Sequence, residues 1–164
     1  MISQDPSGQH PRDMVSTPRA VIWVIDDVSA NHDLVRRSLP PGFENTCVFR
    51  GYLSGEKALD DLADALAEEP DALPDIVFMD FFLGTTSGDQ VTVRVRAAFH
   101  ARGLAGPFIV GHSSSPPASL EIVKHGGDVA IEKDRRVDVS RGVRSLFPDV
   151  ATLGRYAGRA RRHS

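Results

Sequence analysis

The sequence predicts a three-layer α/β fold in which a five-stranded parallel sheet lies between helices. Three observations predict it. Short continuous apolar runs, such as AVIWVI from Ala20 and DIVFMD from Asp75, have the character of strands buried on both faces. Each run is followed by a stretch whose apolar residues recur at helical spacing, and the alternation repeats five times. Two of the runs stop at carboxylates, Asp26-Asp27 and Asp80.

Taken in order, residues 1–19 carry Pro6, Pro11 and Pro18 among polar side chains and are expected to form a flexible leader. The first strand is Ala20 to Ile25, and Ala30, Leu34 and Leu39 mark the face of the helix after it. Thr46 to Tyr52 is β-branched and aromatic, a second strand. Ser54 then caps a helix whose Ala58, Leu59, Leu62, Ala63 and Leu66 share a face. Asp75 to Asp80 is the third strand, after a loop bracketed by Pro70 and Pro74. Gly88 to Arg102 contains the alternating Val91-Thr92-Val93-Arg94-Val95, yet Val91, Val95, Ala98 and Phe99 also fit one helical stripe, and a third helix is expected. Pro107 to Gly111 is the fourth strand, Pro117 to His125 a short helix, Val129 to Glu132 the fifth strand and Asp138 to Phe147 the fifth helix. The core domain is therefore expected over 20–148, with a solvated basic tail over 149–164 that carries Arg155, Arg159, Arg161 and Arg162.

Composition removes several classes of function. A net charge of −3 with mixed signs does not point to nucleic acid, and the arginine tail is too short to be a DNA-reading domain. The longest apolar stretch, Ile76 to Leu83, is interrupted by Asp80 and falls far short of the ~20 residues that cross a bilayer. No secretory signal opens the chain, and Cys47 is the single cysteine, so a cytoplasmic protein without membrane insertion is expected. The six histidines lie on separate elements without metal-ligand spacing, which argues against zinc or a catalytic histidine. Trp23 and Cys47 read as core.

Ligands of such sheets bind beyond the carboxyl ends of the strands. Those ends carry Asp26 and Asp27, Asp80, Ser113 and Lys133. An Asp pair after a strand is also a common helix cap, but Asp80 within an apolar run must find a partner or meet a desolvation cost. Three carboxylates at one mouth need a counter-charge, and Mg²⁺ suits an all-oxygen set. A carboxylate can attack phosphorus, with a metal, an ammonium and a hydroxyl neutralising the transferred group. From the residues alone, Ser113 and Ser114 are equal candidates for the hydroxyl.

These motifs, Asp26-Asp27 after VIWVI, LSGEKALDDL from Leu53, DIVFMDFFLGTTSGDQV from Asp75, IVGHS and HGGDVAIEK from His125, together resemble the receiver domains of bacterial two-component response regulators. The resemblance spans Ala20 to Phe147 and implies a CheY-like, flavodoxin-like fold. It implies that Asp80 is the phosphoacceptor and also a Mg²⁺ ligand, that Asp27 ligates Mg²⁺ directly and Asp26 mainly through water, and that the Phe82 backbone carbonyl is a further ligand. Ser113 would then hydrogen-bond a phosphoryl oxygen and Lys133 pair with another. The implied donor is a sensor histidine kinase or histidine phosphotransferase, and the output an unidentified protein partner rather than an enzymatic turnover. Dimerisation through the fourth and fifth helices, frequent in the family, is left open.

Some positions depart from the family pattern. Asp134 follows Lys133 where a proline, often cis, is usual, so a trans bond and a differently shaped loop are expected. Ala130 stands where many receivers carry the aromatic that turns inward on phosphorylation, which keeps a phosphorylation-independent, degenerate receiver as the alternative reading. The interval from Ser113 to Lys133 is shortened and holds Pro116-Pro117, so a reduced or tilted fourth helix is expected.

Overall fold

The computed structural model describes residues 17–134, 136 and 138–164. Nearly all of the expected leader, residues 1–16, lies outside them. The strands β1 (Ala20–Ile25), β2 (Cys47–Tyr52), β3 (Ile76–Met79), β6 (Phe108–Ser113) and β7 (Val129–Glu132) form one parallel sheet in the order β2-β1-β3-β6-β7. The order reverses between β1 and β3, which opens a crevice at their carboxyl ends.

The remaining elements are α1 (Ser29–Ser38), α2 (Gly55–Glu68), a short antiparallel hairpin of β4 (Phe82–Leu83) and β5 (Thr86–Ser87), α3 (Gly88–His100), α4 (Pro116–Lys124), α5 (Arg141–Leu146) and α6 (Val150–Gly154). Side chains alternate across the strands and feed two cores. Trp23, Val77, Met79 and Ile109 pack with Leu62 of α2, Val91, Val95 and Phe99 of α3, and Ile122 of α4. Ile22, Val24, Phe78 and Val110 pack on the other face with Val35 of α1, Val143 of α5 and Leu153 of α6. The alternating valines of α3 resolve as a helix because Val91 and Val95 face the core while Val93 points outward, 47% exposed.

The hairpin was not expected from the sequence. Gly84 turns it with φ of 78°, and Gly88 N–H donates to the Phe81 carbonyl at 2.8 Å. A Cβ on Gly88 would come within 1.9 Å of the Asp80 carbonyl oxygen, so only glycine lets the start of α3 close over the end of β3. α4 begins one residue earlier than expected, with Pro116 and Pro117 in its first turn, where a missing N–H costs nothing.

The tail expectation is corrected. Residues 150–164 are folded against the body: Leu153 and Ala160 are fully buried, and the Tyr156 ring lies 5.2 Å from Phe108 and 5.6 Å from Phe147. Asp75, just before β3, accepts Val21 N–H at 3.0 Å through Oδ2 and Ala160 N–H at 3.0 Å through Oδ1. Ala105 N–H reaches the Arg162 carbonyl at 2.7 Å, and Arg161 pairs with Asp71. The segment thus passes from one core to the other beneath the amino-terminal ends of the strands, at the end of the sheet away from the crevice. It is reached early because α5 is only six residues long, shorter than the helix expected from Asp138.

Candidate functional site

Strand parity assembles the site. Val24, Phe78, Val110 and Ile131 all belong to or pack on one core, and two residues beyond each stand Asp26, Asp80, His112 and Lys133. With a side-chain period of two, these four share one face of the sheet at its carboxyl end.

Lys133 is 5% exposed and its Nζ lies 2.5 Å from Asp26 Oδ2 and 3.2 Å from Asp80 Oδ1. Asp26 is fixed further by Val28 N–H at 2.9 Å and Asn31 Nδ2 at 3.1 Å, both donating to Oδ1. Asn31, on the first turns of α1, is thus a positioning residue. Asp80 Oδ1 also accepts Phe81 N–H at 2.8 Å. Burial raises the Asp80 pKa, opposed by the Lys133 charge and reinforced by Asp26. Asp27 is exposed at the rim, and one carboxylate oxygen from each of Asp26, Asp27 and Asp80 lies within 4.8 Å of the others. Three carboxylates against one ammonium leave excess negative charge on hard oxygen donors, a set suited to a small divalent cation.

No family model matches the chain, and no curated protein matches it in sequence. Solved structures do match it in shape. The response regulator domain of Thermotoga maritima CheB superposes with a TM-score of 0.56 at 16% identity, over 85% of this chain and 96% of that one. A mutant receiver domain of the Arabidopsis thaliana histidine kinase CKI1 gives 0.58 at 19%, over 79% and 92%. The Saccharomyces cerevisiae Ssk1 receiver domain, crystallised with the histidine phosphotransfer protein Ypd1, gives 0.56 at 16%, over 71% and 80%. The chain has the receiver-domain fold.

Against that fold the expected site divides. The structure brings Asp26, Asp27, Asp80 and Lys133 together. Phe82 begins the hairpin two residues after Asp80; the residue is 59% exposed and its ring lies 5.0 Å from that of Phe81. Ser113 is corrected. It shares parity with Ile109 and Gly111, on the face covered by α4, and its N–H donates to Ser119 Oγ at 3.0 Å. Its hydroxyl accepts Ser115 N–H at 3.2 Å, closing the turn into α4.

The β6 residue on the site face is His112, 1% exposed. Burial, with the Lys133 charge adding to it against Asp26, pushes its pKa down to about 3, so the ring is neutral. Its position was legible in the alternation of FIVGHS, where His112 keeps step with Val110. Beyond β7, Asp134 Oδ1 accepts Arg136 N–H at 3.0 Å, a side-chain-closed turn, and no described peptide bond is cis.

Proposed function

We propose that the protein is a receiver module of a two-component phosphorelay, phosphorylated on Asp80 in a Mg²⁺-dependent reaction. The observation that supports this reading best is the Lys133 ammonium held between Asp26 and Asp80 at the topological switch point, with Asp27 at the rim. Asp80 Oδ1 takes the Phe81 and Lys133 bonds, which leaves Oδ2 as the attacking atom. Oδ2 forms the O–P bond while the P–N bond of a donor phosphohistidine breaks, its electron pair returning to the donor imidazole. Asp27, Asp26, Asp80 and the Phe82 carbonyl are the groups that would hold Mg²⁺, which when bound neutralises phosphoryl oxygens. Lys133 would move its ammonium to one of those oxygens as Asp80 becomes the mixed anhydride of an acyl phosphate. The chain is altered by the phosphoryl group rather than turning over a substrate. A cytoplasmic histidine phosphotransfer protein or histidine kinase fits as donor; the Ssk1 receiver domain is crystallised with such a phosphotransfer protein, Ypd1.

Intact mass after incubation with acetyl phosphate and Mg²⁺ tests the reading. One phosphoryl adduct is expected, absent in Asp80→Asn and absent with a chelator. An adduct that survives Asp80→Asn would place the chemistry elsewhere. No adduct on the wild-type chain would favour the degenerate receiver, for which Ala130 at the usual aromatic position is the supporting feature.

Phe82 supplies a second expectation. Phe82 stands exposed two residues after Asp80, where its ring would shield an acyl phosphate from water, so Phe82→Asn is expected to shorten the phosphorylated half-life. An unchanged half-life, followed by mass spectrometry after donor removal, removes the shield.

A further inference from the structure

We infer that His112, rather than a hydroxyl, is the β6 side chain that grips the phosphoryl group on Asp80, donating a ring N–H to one of its oxygens. The inference deepens the receiver reading and rests on it. His112 shares the site face with Asp26, Asp80 and Lys133 by strand parity, whereas Ser113 turns to the opposite face and spends its hydroxyl on Ser115 N–H. The ring is wedged edge-on against Phe78, centroids 6.1 Å apart, which fixes its plane. Its Nε2 is buried and has no hydrogen-bond partner among the described residues. A buried polar atom without a partner carries a desolvation cost that a native fold seldom leaves unmet unless a ligand supplies the partner. A phosphoryl oxygen is an acceptor of the right kind. The ring is neutral, so it offers one donor without adding a second cation beside Lys133.

The role differs from that of a serine or threonine. A hydroxyl rotates and both donates and accepts, whereas a packed imidazole offers one donor in one direction. The site is thereby selective for a tetrahedral oxyanion set down in one orientation.

The test uses the full chain labelled with ¹⁵N-histidine, with beryllium fluoride and Mg²⁺ as the phosphoryl mimic. Assignment comes from the signal lost in His112→Phe, which keeps the ring volume against Phe78 and removes the donor. On formation of the Asp80 complex, the His112 ring N–H is expected to shift downfield and exchange slowly with water, while the other five histidines stay put. Beryllium fluoride affinity, titrated by ¹⁹F NMR, is expected to fall about tenfold or more in His112→Phe, the range of a hydrogen bond to a charged group, and to recover in part in His112→Thr. If His112→Phe does not fold, the assignment is taken from the signal lost in His112→Thr, and the wild-type ring signal decides. A complex that forms on Asp80 with the His112 resonances unmoved overturns this inference and leaves the receiver reading standing. No complex on the wild-type chain overturns both.

Discussion

Lys133→Met is expected to lower the melting temperature in magnesium-free buffer by roughly 6–12 °C, about 3 kcal/mol at 2–4 °C per kcal/mol for a domain of this size. Lys133 is 5% exposed, and its ammonium is the shared counter-charge of two buried carboxylates at 2.5 and 3.2 Å. Removing it leaves Asp26 and Asp80 facing each other, 1% and 6% exposed, and breaking a buried ion pair from one side costs far more than the pair contributes intact. Met fills the space of the lysine stem, so little of the loss belongs to packing. Millimolar Mg²⁺ is expected to return most of the stability, because the cation restores the missing positive charge. Phosphoryl incorporation is not expected to return with it: in the proposed reaction the ammonium also neutralises an oxygen of the transferred group, and losing one such contact costs about 10²-fold in rate.

The sign with pH follows from Asp80. Its native pKa is raised, so the native state binds the proton more tightly than the unfolded chain. That contribution to stability is present in full below the ordinary carboxylate pKa and is lost as pH rises through the raised native value. Lys133→Met sharpens the effect, and its deficit should shrink on acidification toward pH 4. A melting temperature that responds neither to Mg²⁺ nor to acid would mean that the cluster is not held together by charge. Thermal melts across pH with and without Mg²⁺ make the measurement.

The parts legible in the sequence were those governed by period and burial. Parallel strands covered on both faces are continuous apolar runs, so AVIWVI and IVFM declared themselves, and the carboxylates at their ends stood out because nothing apolar explains Asp80. The β6 site residue was missed by one position. At the end of a strand, a one-residue step reverses the face, and three consecutive serines after His112 drew the hydroxyl role onto Ser113 when strand parity favours the neighbour. Surveying histidines for mutual spacing also hid His112, because the groups that share its sheet face are carboxylates and a lysine on other strands. The hairpin after Asp80 depended on Gly84 and Gly88, whose meaning comes from the atoms they approach. The carboxyl-terminal segment was misread for another physical reason. Its arginines dominate the composition, but Leu153, Tyr156 and Ala160 are the residues that dock, too few and too irregularly spaced to show a period.

Ending the chain at Pro148 is therefore expected to be far more damaging than loss of a charged tail. Leu153 is fully buried against the core under α1 and α5, and burial of such a side chain is worth roughly 1.5–3 kcal/mol. Tyr156 covers Phe108 and Phe147, which would meet water without it. Ala160 N–H is a ligand of the buried Asp75 carboxylate, whose pKa burial already raises. Stripping one donor from it adds about 1–3 kcal/mol. Together these reach about 4 kcal/mol or more, comparable with the 5–15 kcal/mol that hold a domain of ordinary stability. The shortened chain should be partly unfolded at 37 °C by circular dichroism, with early amide exchange at Val21 and Phe108, the strand starts that Asp75 ties together. Point variants separate packing from charge. Leu153→Ala should cost about 2–5 kcal/mol, whereas Arg155→Gln with Arg162→Gln should cost under about 1 kcal/mol, because neither side chain is buried. If the arginine pair proves the costlier change, the segment is held by its charges after all. If Leu153→Ala does, the segment belongs to the packed core of the domain, closing the end of the sheet opposite Asp80 and leaving the crevice beside Asp80 as the open one.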